Sequence, residues 1–318
     1  MNNKIIVLGI VFVLVFTANI MLGNSHANLI HHLTAPSGIV KQFEVNITNN
    51  QSIATPNPIQ VLVKINKIYY SSYLVYNGSF ANFEFYYSNG TIIPSWIESF
   101  NTSTILVWLK LYSISADSTI SIYLGFASST TNLLNNSGKN GIGEAPQLSK
   151  TYAEYDDGAN VFNFYDNFAG TSLNTSKWST SSSGASYSIS NGLTVTGNGN
   201  GIWFYGKIIQ NYPSIFDVYI VSYTSGISQI RNGFSLTQGA STNYDLLSEP
   251  SSSTNDEYIE STLGSFGVVS ATITYPSSYI QSFAWISTGS EWAQVNYANT
   301  LTGTNTQYTI ANLSLIHI

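Results

Sequence analysis

The sequence predicts an all-β protein built from two tandem antiparallel β-sandwiches. Short segments alternate apolar and polar residues with a period of two, which is typical of strands that bury one face. Clusters of Gly, Asn and Ser interrupt these segments at short intervals, and no segment shows the periodicity of a helix of three turns. We therefore expect a leader at 1–27, a first domain at 28–150 and a second domain at 151–318.

The first sandwich is predicted from four alternating segments and one turn. The segments are 60–66, 82–88, 104–110 and 120–124. Asn89-Gly90 predicts a hairpin, because this pair tolerates the positive φ of tight two-residue turns. Trp96 and Trp108 are large apolar side chains on these segments, and we expect them to fill the core of the sandwich.

A change in composition predicts the domain boundary. Residues 127–150 are rich in Ser, Thr, Asn and Gly, which indicates a linker that ends near 150. Alternation resumes after it, and Asn191-Gly192 predicts a second hairpin. The remaining segments of the second sandwich are 187–189, 193–195, 217–221, 234–236, 269–273, 280–286, 293–297 and 310–318.

The composition excludes several classes of protein. Charged residues make up only 8% of the chain and the net charge is −6, so the chain lacks the basic surface that a nucleic-acid-binding protein needs. Cysteine is absent and there are four histidines, three of them beside the leader and one next to last. These counts exclude disulfides, a cysteine nucleophile and a Ser-His-Asp triad inside the folded body. No cofactor is expected apart from a candidate calcium ion.

The N-terminal segment predicts secretion. Lys4 precedes an apolar run, and Ser25 and Ala27 place small residues at the alternate positions of a signal-peptidase site. We expect cleavage after Ala27 and an extracellular or cell-surface protein. The alternative is an uncleaved N-terminal anchor, which would be the sole contact with a membrane.

Sequons are consistent with that location. Asn-x-Ser/Thr marks a glycosylation acceptor in a secreted chain. Eight sequons occur, at Asn46, Asn50, Asn77, Asn89, Asn101, Asn135, Asn174 and Asn312.

Residues 36–128 resemble a surface-protein domain of unknown function found in archaea and bacteria. The resemblance rests on the run Phe83-x-Phe85-Tyr86-Tyr87-Ser88-Asn89-Gly90-Thr91-x-x-Pro94-Ser95-Trp96-Ile97-Glu98-Ser99 and on the strands Val107-Trp108-Leu109-Lys110 and Ile122-Tyr123-Leu124-Gly125-Phe126. Phe126 departs from the Tyr that is usual there. The resemblance implies a β-sandwich at the cell surface and no particular chemistry.

Residues 160–318 resemble the concanavalin-like lectin and glucanase domains. Their opening is matched by Phe164-Tyr165-Asp166-Asn167-Phe168-Ala169-Gly170-x-x-Leu173-Asn174-x-Ser176-Lys177-Trp178, and their turn by Ile189-Ser190-Asn191-Gly192-Leu193. The resemblance implies that the second sandwich is a concanavalin-like jelly roll. It also implies that the last strand, here Tyr308–Ile318, pairs near the first strand of the domain.

Candidate catalytic residues are sparse. Glucanases of the resembled fold carry an acid and a nucleophile at same-face positions of one strand, and Asp256 and Glu260 are the nearest equivalents here. The central carboxylate of that motif is missing. We therefore predict a non-enzymatic protein, with a glycoside hydrolase as an alternative.

Aromatic residues predict a sugar platform instead. A pyranose stacks its apolar face on an aromatic ring, and Trp203 with Tyr205, and Phe283 with Trp285, occupy alternate positions of two predicted strands. Trp292 follows, where we expect a turn. We expect Trp203, Tyr205, Trp285 and Trp292 to bind carbohydrate or another surface polymer; the alternative is that these rings are core.

Acidic residues near the domain boundary form the candidate calcium site. Calcium takes six to eight oxygen ligands, and Asp156, Asp157 and Asp166 are the densest group of carboxylates in the chain, with Glu154 beside them. The alternative is a solvated linker between the domains.

The sequence thus favours a cell-surface glycoprotein that binds a glycan or surface polymer through its second domain. A structural subunit of an extracellular filament or surface layer is the other alternative, because free strand edges support self-assembly. A free strand within 28–50, where Phe43, Val45 and Ile47 alternate, would favour that alternative.

Overall fold

In a computed structural model, the described part of the chain consists of β-strands and one short helix. The structure describes residues 3–11, 18–19, 34–74, 80–134, 141–197, 200–207, 214–222, 232–235, 244–250, 256–260, 271–272, 278–287, 290–299 and 304–311. The strands pair antiparallel with one exception, which confirms the predicted all-β class.

The bounds of the elements are as follows. The first nine strands are β1 (Asn3–Val11), β2 (Ala18–Asn19), β3 (Ile39–Asn49), β4 (Ile59–Asn66), β5 (Phe83–Tyr87), β6 (Ser95–Phe100), β7 (Thr104–Leu111), β8 (Ser118–Ala127) and β9 (Gly143–Glu144). After helix α1 (Gly158–Val161) come β10 (Trp178–Ser182), β11 (Ser186–Ile189), β12 (Leu193–Thr196), β13 (Ile202–Gly206), β14 (Ser214–Ser222), β15 (Asn232–Ser235), β16 (Tyr244–Pro250), β17 (Asp256–Glu260), β18 (Ala271–Thr272), β19 (Ser278–Ser287), β20 (Ser290–Asn299) and β21 (Thr304–Ala311).

The chain divides into two compact units. The N-terminal unit is Phe12–Asn163, and the C-terminal unit combines Met1–Val11 with Phe164–Ile318. The division therefore falls after Asn163, later than the boundary near 150 that composition predicts. The reason is that residues 141–163, although rich in small and polar residues, are packed on the N-terminal unit.

Two four-stranded sheets enclose the core of the N-terminal unit. Their strand orders are β2-β3-β8-β5 and β4-β7-β6-β9. Both sheets contribute alternate apolar residues to one buried cluster, such as Val45 and Phe85 from the first and Val63 and Val107 from the second. The period-two pattern of the sequence is thus the direct cause of this core. Strand β3 pairs with β8 from Asn49 back to Ile39, so residues 39–49 are not the free strand that would have favoured self-assembly.

Asn89-Gly90 forms the predicted tight turn but joins two sheets. Gly90 has a φ of +84° and donates its N–H to the carbonyl of Tyr87. Apart from a bridge between Tyr86 and Ile92, the flanking strands do not pair with each other: β5 pairs with β8, and β6 pairs with β7. The expected hairpin is therefore a crossing between sheets.

A second buried layer lies on the other face of the β4-β7-β6-β9 sheet. Residues 141–163, which we call the return segment, pair through β9 with β6 and lay Phe162 against Trp96 and Trp108, at ring-centre distances of 5.2 and 5.9 Å. Gln60 fixes the same segment by donating to the carbonyl of Val161 at 2.9 Å. Trp96 and Trp108 are buried as predicted, but under the return segment rather than between the two sheets.

Gly143 sets how closely the return segment packs on itself. A Cβ added there would collide with the Cβ of Asp157 and lie 2.9 Å from its backbone nitrogen. We expect Gly143→Ala to lower the free energy of unfolding by about 1–3 kcal/mol, the usual cost of an added methyl in a packed region. Chemical denaturation measures it. Gly201→Ala is the control, because its nearest neighbour would be Ser183 Oγ at 3.8 Å; equal losses in both variants would contradict the prediction.

The C-terminal unit contains a seven-stranded sheet, a four-stranded sheet and a two-stranded ribbon. Their orders are β11-β12-β1-β14-β19-β20-β21, β15-β16-β17-β18 and β10-β13. The predicted Asn191-Gly192 hairpin is present, since both residues have positive φ and Ile189 pairs with Leu193. A small core joins Trp178 to Phe164 and Phe168.

Strands lie near both ends of the described residues. Residues 3–11 of the predicted leader form β1, an internal strand between β12 and β14; the predicted cleavage site at Ala27 lies outside the described residues. At the other end β21 pairs with β20 as an edge strand, whereas the resemblance implies pairing near the first strand of the domain. Among the described residues, no helix is long and apolar enough to cross a bilayer.

Candidate functional site

The two-stranded ribbon β10-β13 carries two of the four predicted platform residues. Its register pairs Ser179 with Tyr205 and Ser181 with Trp203. Residues that are direct partners in an antiparallel pair lie on the same face, and alternate residues of one strand do so too. Trp203, Tyr205, Ser179 and Ser181 therefore share one face of the ribbon, which we call the Trp203 face.

The opposite face of the ribbon is the core face. It carries Trp178, which is buried against Phe164 and Phe168 with ring-centre distances of 5.0 and 5.6 Å. Phe204 also packs against this cluster and meets the ring of Tyr187 edge-on at 5.2 Å. Because Phe204 lies between Trp203 and Tyr205 in the strand, the Trp203 face points away from this core. Trp203 and Tyr205 are half-buried.

Hydrogen bonds to backbone carbonyls hold both ends of the ribbon. At one end Lys207 donates its N–H to the carbonyl of Lys177 and its Nζ to the carbonyl of Thr175, each at 2.7 Å. At the other end the N–H of Ser183 donates to the carbonyl of Gly201 at 2.9 Å. A site on this ribbon is thus positioned before a ligand arrives, which lowers the entropic cost of binding.

The chemistry of the Trp203 face is aromatic and hydroxylic. No charged residue occurs between Lys177 and Lys207. Burial raises the pKa of Tyr205, so its hydroxyl is protonated at neutral pH and can donate a hydrogen bond. Rings flanked by serine hydroxyls suit a neutral, polyhydroxylated ligand, because a sugar offers both an apolar face and hydroxyl groups.

The other two platform residues lie in the seven-stranded sheet. Trp285 of β19 and Trp292 of β20 are direct register partners. Trp292 is therefore in a strand, not in the turn that the sequence predicts, since the connection between β19 and β20 comes earlier, after Ser287. The four predicted residues thus form two pairs on two different sheets.

The candidate catalytic residues Asp256 and Glu260 occupy alternate positions of β17. Strand β17 pairs with β16 on one side and β18 on the other. Glu249 of β16 is the register partner of Tyr258, the residue midway between the two carboxylates in sequence. A catalytic role for this pair stays a prediction.

The candidate calcium residues already have hydrogen-bond donors. Asp156 accepts from Trp96 Nε1 and from the N–H of Gly158, both at 3.0 Å, and the buried Asp157 accepts from Asn160. The buried Asp166 accepts from Trp178 Nε1 at 2.7 Å. Within the described part of the chain, no three His, Asp or Glu side chains come together as metal ligands. Asp157 and Asp166 are buried, so they are not solvated linker residues, and a calcium site at these residues stays a prediction.

The sequons differ in their surroundings. Asn50, Asn89 and Asn174 are exposed. Asn46 lies within β3 and accepts from Ser121 Oγ, and Asn101 accepts from the N–H groups of Ser103 and Thr104. The remaining three, Asn77, Asn135 and Asn312, lie outside the described residues.

Three buried carboxyls were not predicted as functional. Glu84 accepts from the N–H of Gly141 at 2.8 Å, and Glu144 accepts from Ser149 Oγ at 2.6 Å. Glu98 accepts from Trp108 Nε1 at 2.6 Å and is the residue between Ile97 and Ser99 at which the β6–β7 register shifts. Burial raises the pKa of all three, that of Glu98 to about 7. The signal that could have found Glu98 is a single carboxyl group in the segment Trp96–Phe100, whose other residues are apolar or uncharged.

Comparison with known proteins gives one informative match. The chain is similar to uncharacterized protein 562 of Sulfolobus islandicus rod-shaped virus 1, with 31% identity over 192 residues. The match covers 56% of this chain but about a third (32%) of that protein's length. No family model and no solved structure matches the chain significantly. The two resemblances described above therefore remain predictions.

Proposed function

We propose that this is an extracellular protein of two tandem sandwiches, the second a jelly roll, which binds a neutral carbohydrate or similar surface polymer. The Trp203 face is the binding site. The observation that carries the proposal is the alternation along β13, where Phe204 turns to the core and Trp203 and Tyr205 turn away from it.

Two features of the site support a linear ligand. Residues at alternate positions of a strand are separated by about 6.6 Å, which places Trp203 and Tyr205 under successive sugar rings of a chain running along β13. Ser179 and Ser181 are their direct partners on β10 and offer hydroxyls along the same line. We therefore expect affinity to rise from a monosaccharide to a trisaccharide and then to level off.

The test is a matched set of alanine variants. We expect Trp203→Ala and Tyr205→Ala each to weaken binding of a neutral polysaccharide at least tenfold, with losses in the free energy of unfolding below about 1 kcal/mol. Trp178→Ala, on the core face of the same ribbon, should instead destabilise the protein by about 3–5 kcal/mol. Tyr112→Ala, in the other unit and 63% exposed, should change neither quantity.

Binding to a panel of neutral and anionic polysaccharides, followed by calorimetry, measures the affinity of each variant. Thermal melting measures its stability. If the Trp203 and Tyr205 variants bind as well as the unmodified protein, the Trp203 face is not the binding site. If they unfold as readily as Trp178→Ala, both rings are core residues and the platform is rejected.

Self-assembly is a second candidate, favoured by the position of β1. This strand lies between β12 and β14, so cleavage after Ala27 would leave these two strands without the strand that separates them. Such an opening accepts a strand from a second copy. Light scattering of chains 1–318 and 28–318 tests this: we expect the shorter chain to self-associate and a peptide of residues 3–11 to reverse the association. Two monomers of equal stability would contradict it.

A further inference from the structure

The loop before β10 presents one sequon in a defined conformation. Asn174, Thr175 and Ser176 are all exposed. Ser176 donates its Oγ to Asn174 Oδ1 at 2.6 Å and its N–H to the same oxygen at 3.1 Å. The carboxamide oxygen of Asn174 is thereby occupied by two donors from the third residue of its own sequon.

Neighbouring contacts fix this loop. The N–H groups of Lys177 and Trp178 both donate to the carbonyl of Asn174 at 3.0 Å, and Trp178 continues into the buried core. Lys207 Nζ holds the carbonyl of Thr175. The loop is thus an exposed segment on a rigid base, so a large group added to Asn174 would project into solvent without disturbing a strand.

The other described sequons lack this combination. Asn46 lies within a paired strand, so a glycan there would have to be accommodated against protein. Asn101 accepts the N–H groups of Ser103 and Thr104 and, at 3.2 Å, the Ser103 hydroxyl, but Asn101 and Ser103 are only partly exposed. Asn50 and Asn89 are exposed, and Asn89 accepts from the backbone N–H of Thr91 at 3.0 Å. Asn174 alone combines exposure of the whole tripeptide with a hydroxyl donated to the acceptor carboxamide, among the five sequons that the structure describes.

We propose that Asn174 is the principal N-glycosylation site of this protein, an inference that rests on the proposed extracellular location. The donor is an isoprenoid pyrophosphate-linked oligosaccharide. Asn174 Nδ2 forms a bond to the anomeric carbon of the first sugar, the bond from that carbon to the pyrophosphate oxygen breaks, and Nδ2 loses one proton. The Ser176 hydroxyl positions and polarises the carboxamide, so Ser176 is a positioning residue for the transfer.

The test uses the full chain secreted from an N-glycosylating host. Trypsin cuts after Lys150 and Lys177, so peptide 151–177 contains Asn174 as its sole sequon, whereas peptide 42–64 carries Asn46 and Asn50 together. We expect mass spectrometry to find most copies of peptide 151–177 carrying a glycan. Occupancy at Asn46 and Asn101 should be at least tenfold lower.

Substitutions separate the modification from the fold. Asn174→Gln should abolish the glycan on this peptide, Ser176→Ala should lower its occupancy at least tenfold, and Ser176→Thr should retain it. Asn46→Gln is the control and should leave peptide 151–177 unchanged. The secreted amount and the melting temperature of each variant show that the protein still folds and is exported.

Two results would overturn the proposal. One is a secreted protein whose peptide 151–177 is unmodified, whether or not other sequons carry glycans. The other is equal occupancy at Asn46, Asn101 and Asn174, which would show that the fold does not select the site. A chain that stays in the cell without glycan contradicts the extracellular location as well, and measurement of the secreted fraction distinguishes the two failures.

Discussion

Replacing Trp108 with alanine should lower the free energy of unfolding by about 3–5 kcal/mol, the cost of removing a buried aromatic side chain. Trp108 is 2% exposed and packs against Phe162 under the return segment. Its Nε1 also donates to Glu98 Oε2 at 2.6 Å. The variant therefore loses apolar contacts and removes a donor from a carboxyl group that is fully buried, which adds to the cost.

Chemical denaturation measures this loss, and a second variant divides it. Trp108→Phe keeps most of the apolar contact but removes the donor to Glu98, so we expect a smaller loss of about 1–3 kcal/mol. Tyr112→Ala, one residue beyond β7 and largely exposed, is the control. A loss below 1 kcal/mol for Trp108→Ala would show that the second layer is not part of the stable fold.

Stability should decrease as the pH rises from acidic to neutral values. Burial raises the pKa of Glu98 to about 7 from its usual 4.5, and this effect exceeds the lowering of the pKa by the Trp108 hydrogen bond and the charge of Lys64. Between these two pH values the folded protein keeps the proton on Glu98 while the unfolded chain releases it. The folded state then binds more protons, so the free energy of unfolding decreases with increasing pH.

The expected size is about 3 kcal/mol between pH 4.5 and pH 7, since each unit of difference in pKa corresponds to about 1.4 kcal/mol. Burial also raises the pKa of Glu84 and Glu144, so both act in the same direction. Denaturation curves at several pH values measure the effect. Glu98→Gln should remove most of the slope, because the amide does not titrate; an unchanged slope in this variant would assign the effect to other groups.

Much of the fold could be predicted because strand patterns are local. Val61, Val63 and Ile65 alternate in the sequence and lie in the core for that reason. The position of a strand in a sheet is not local, however. Asn89-Gly90 determines a tight turn but not which sheet the next strand joins, and the apolar residues of β1 fit a leader and an internal strand equally well.

The candidate site was predictable in part for the same reason. Trp203 and Tyr205 occupy alternate positions, so their common face follows from a strand alone. The direction of this face could not be predicted in the same way. It depends on Phe204 packing against a cluster that includes Phe164, Phe168 and Trp178, which are distant from it in sequence. The surroundings of Glu98 depend on contacts that are distant in sequence, because its hydrogen-bond donor Trp108 lies on the neighbouring strand and the β6–β7 register shifts at this residue.

The internal position of β1 has a consequence for the order in which the two units form. The strands on either side of it, β12 and β14, are made only after every residue of the N-terminal unit has been synthesised. During that interval residues 3–11, which are mostly apolar, have no partner strand. The N-terminal unit, in contrast, has all its own residues and can fold as a unit. The C-terminal sheet therefore cannot place β1 between its neighbours until synthesis has passed Ser222, so it is completed later than the N-terminal unit.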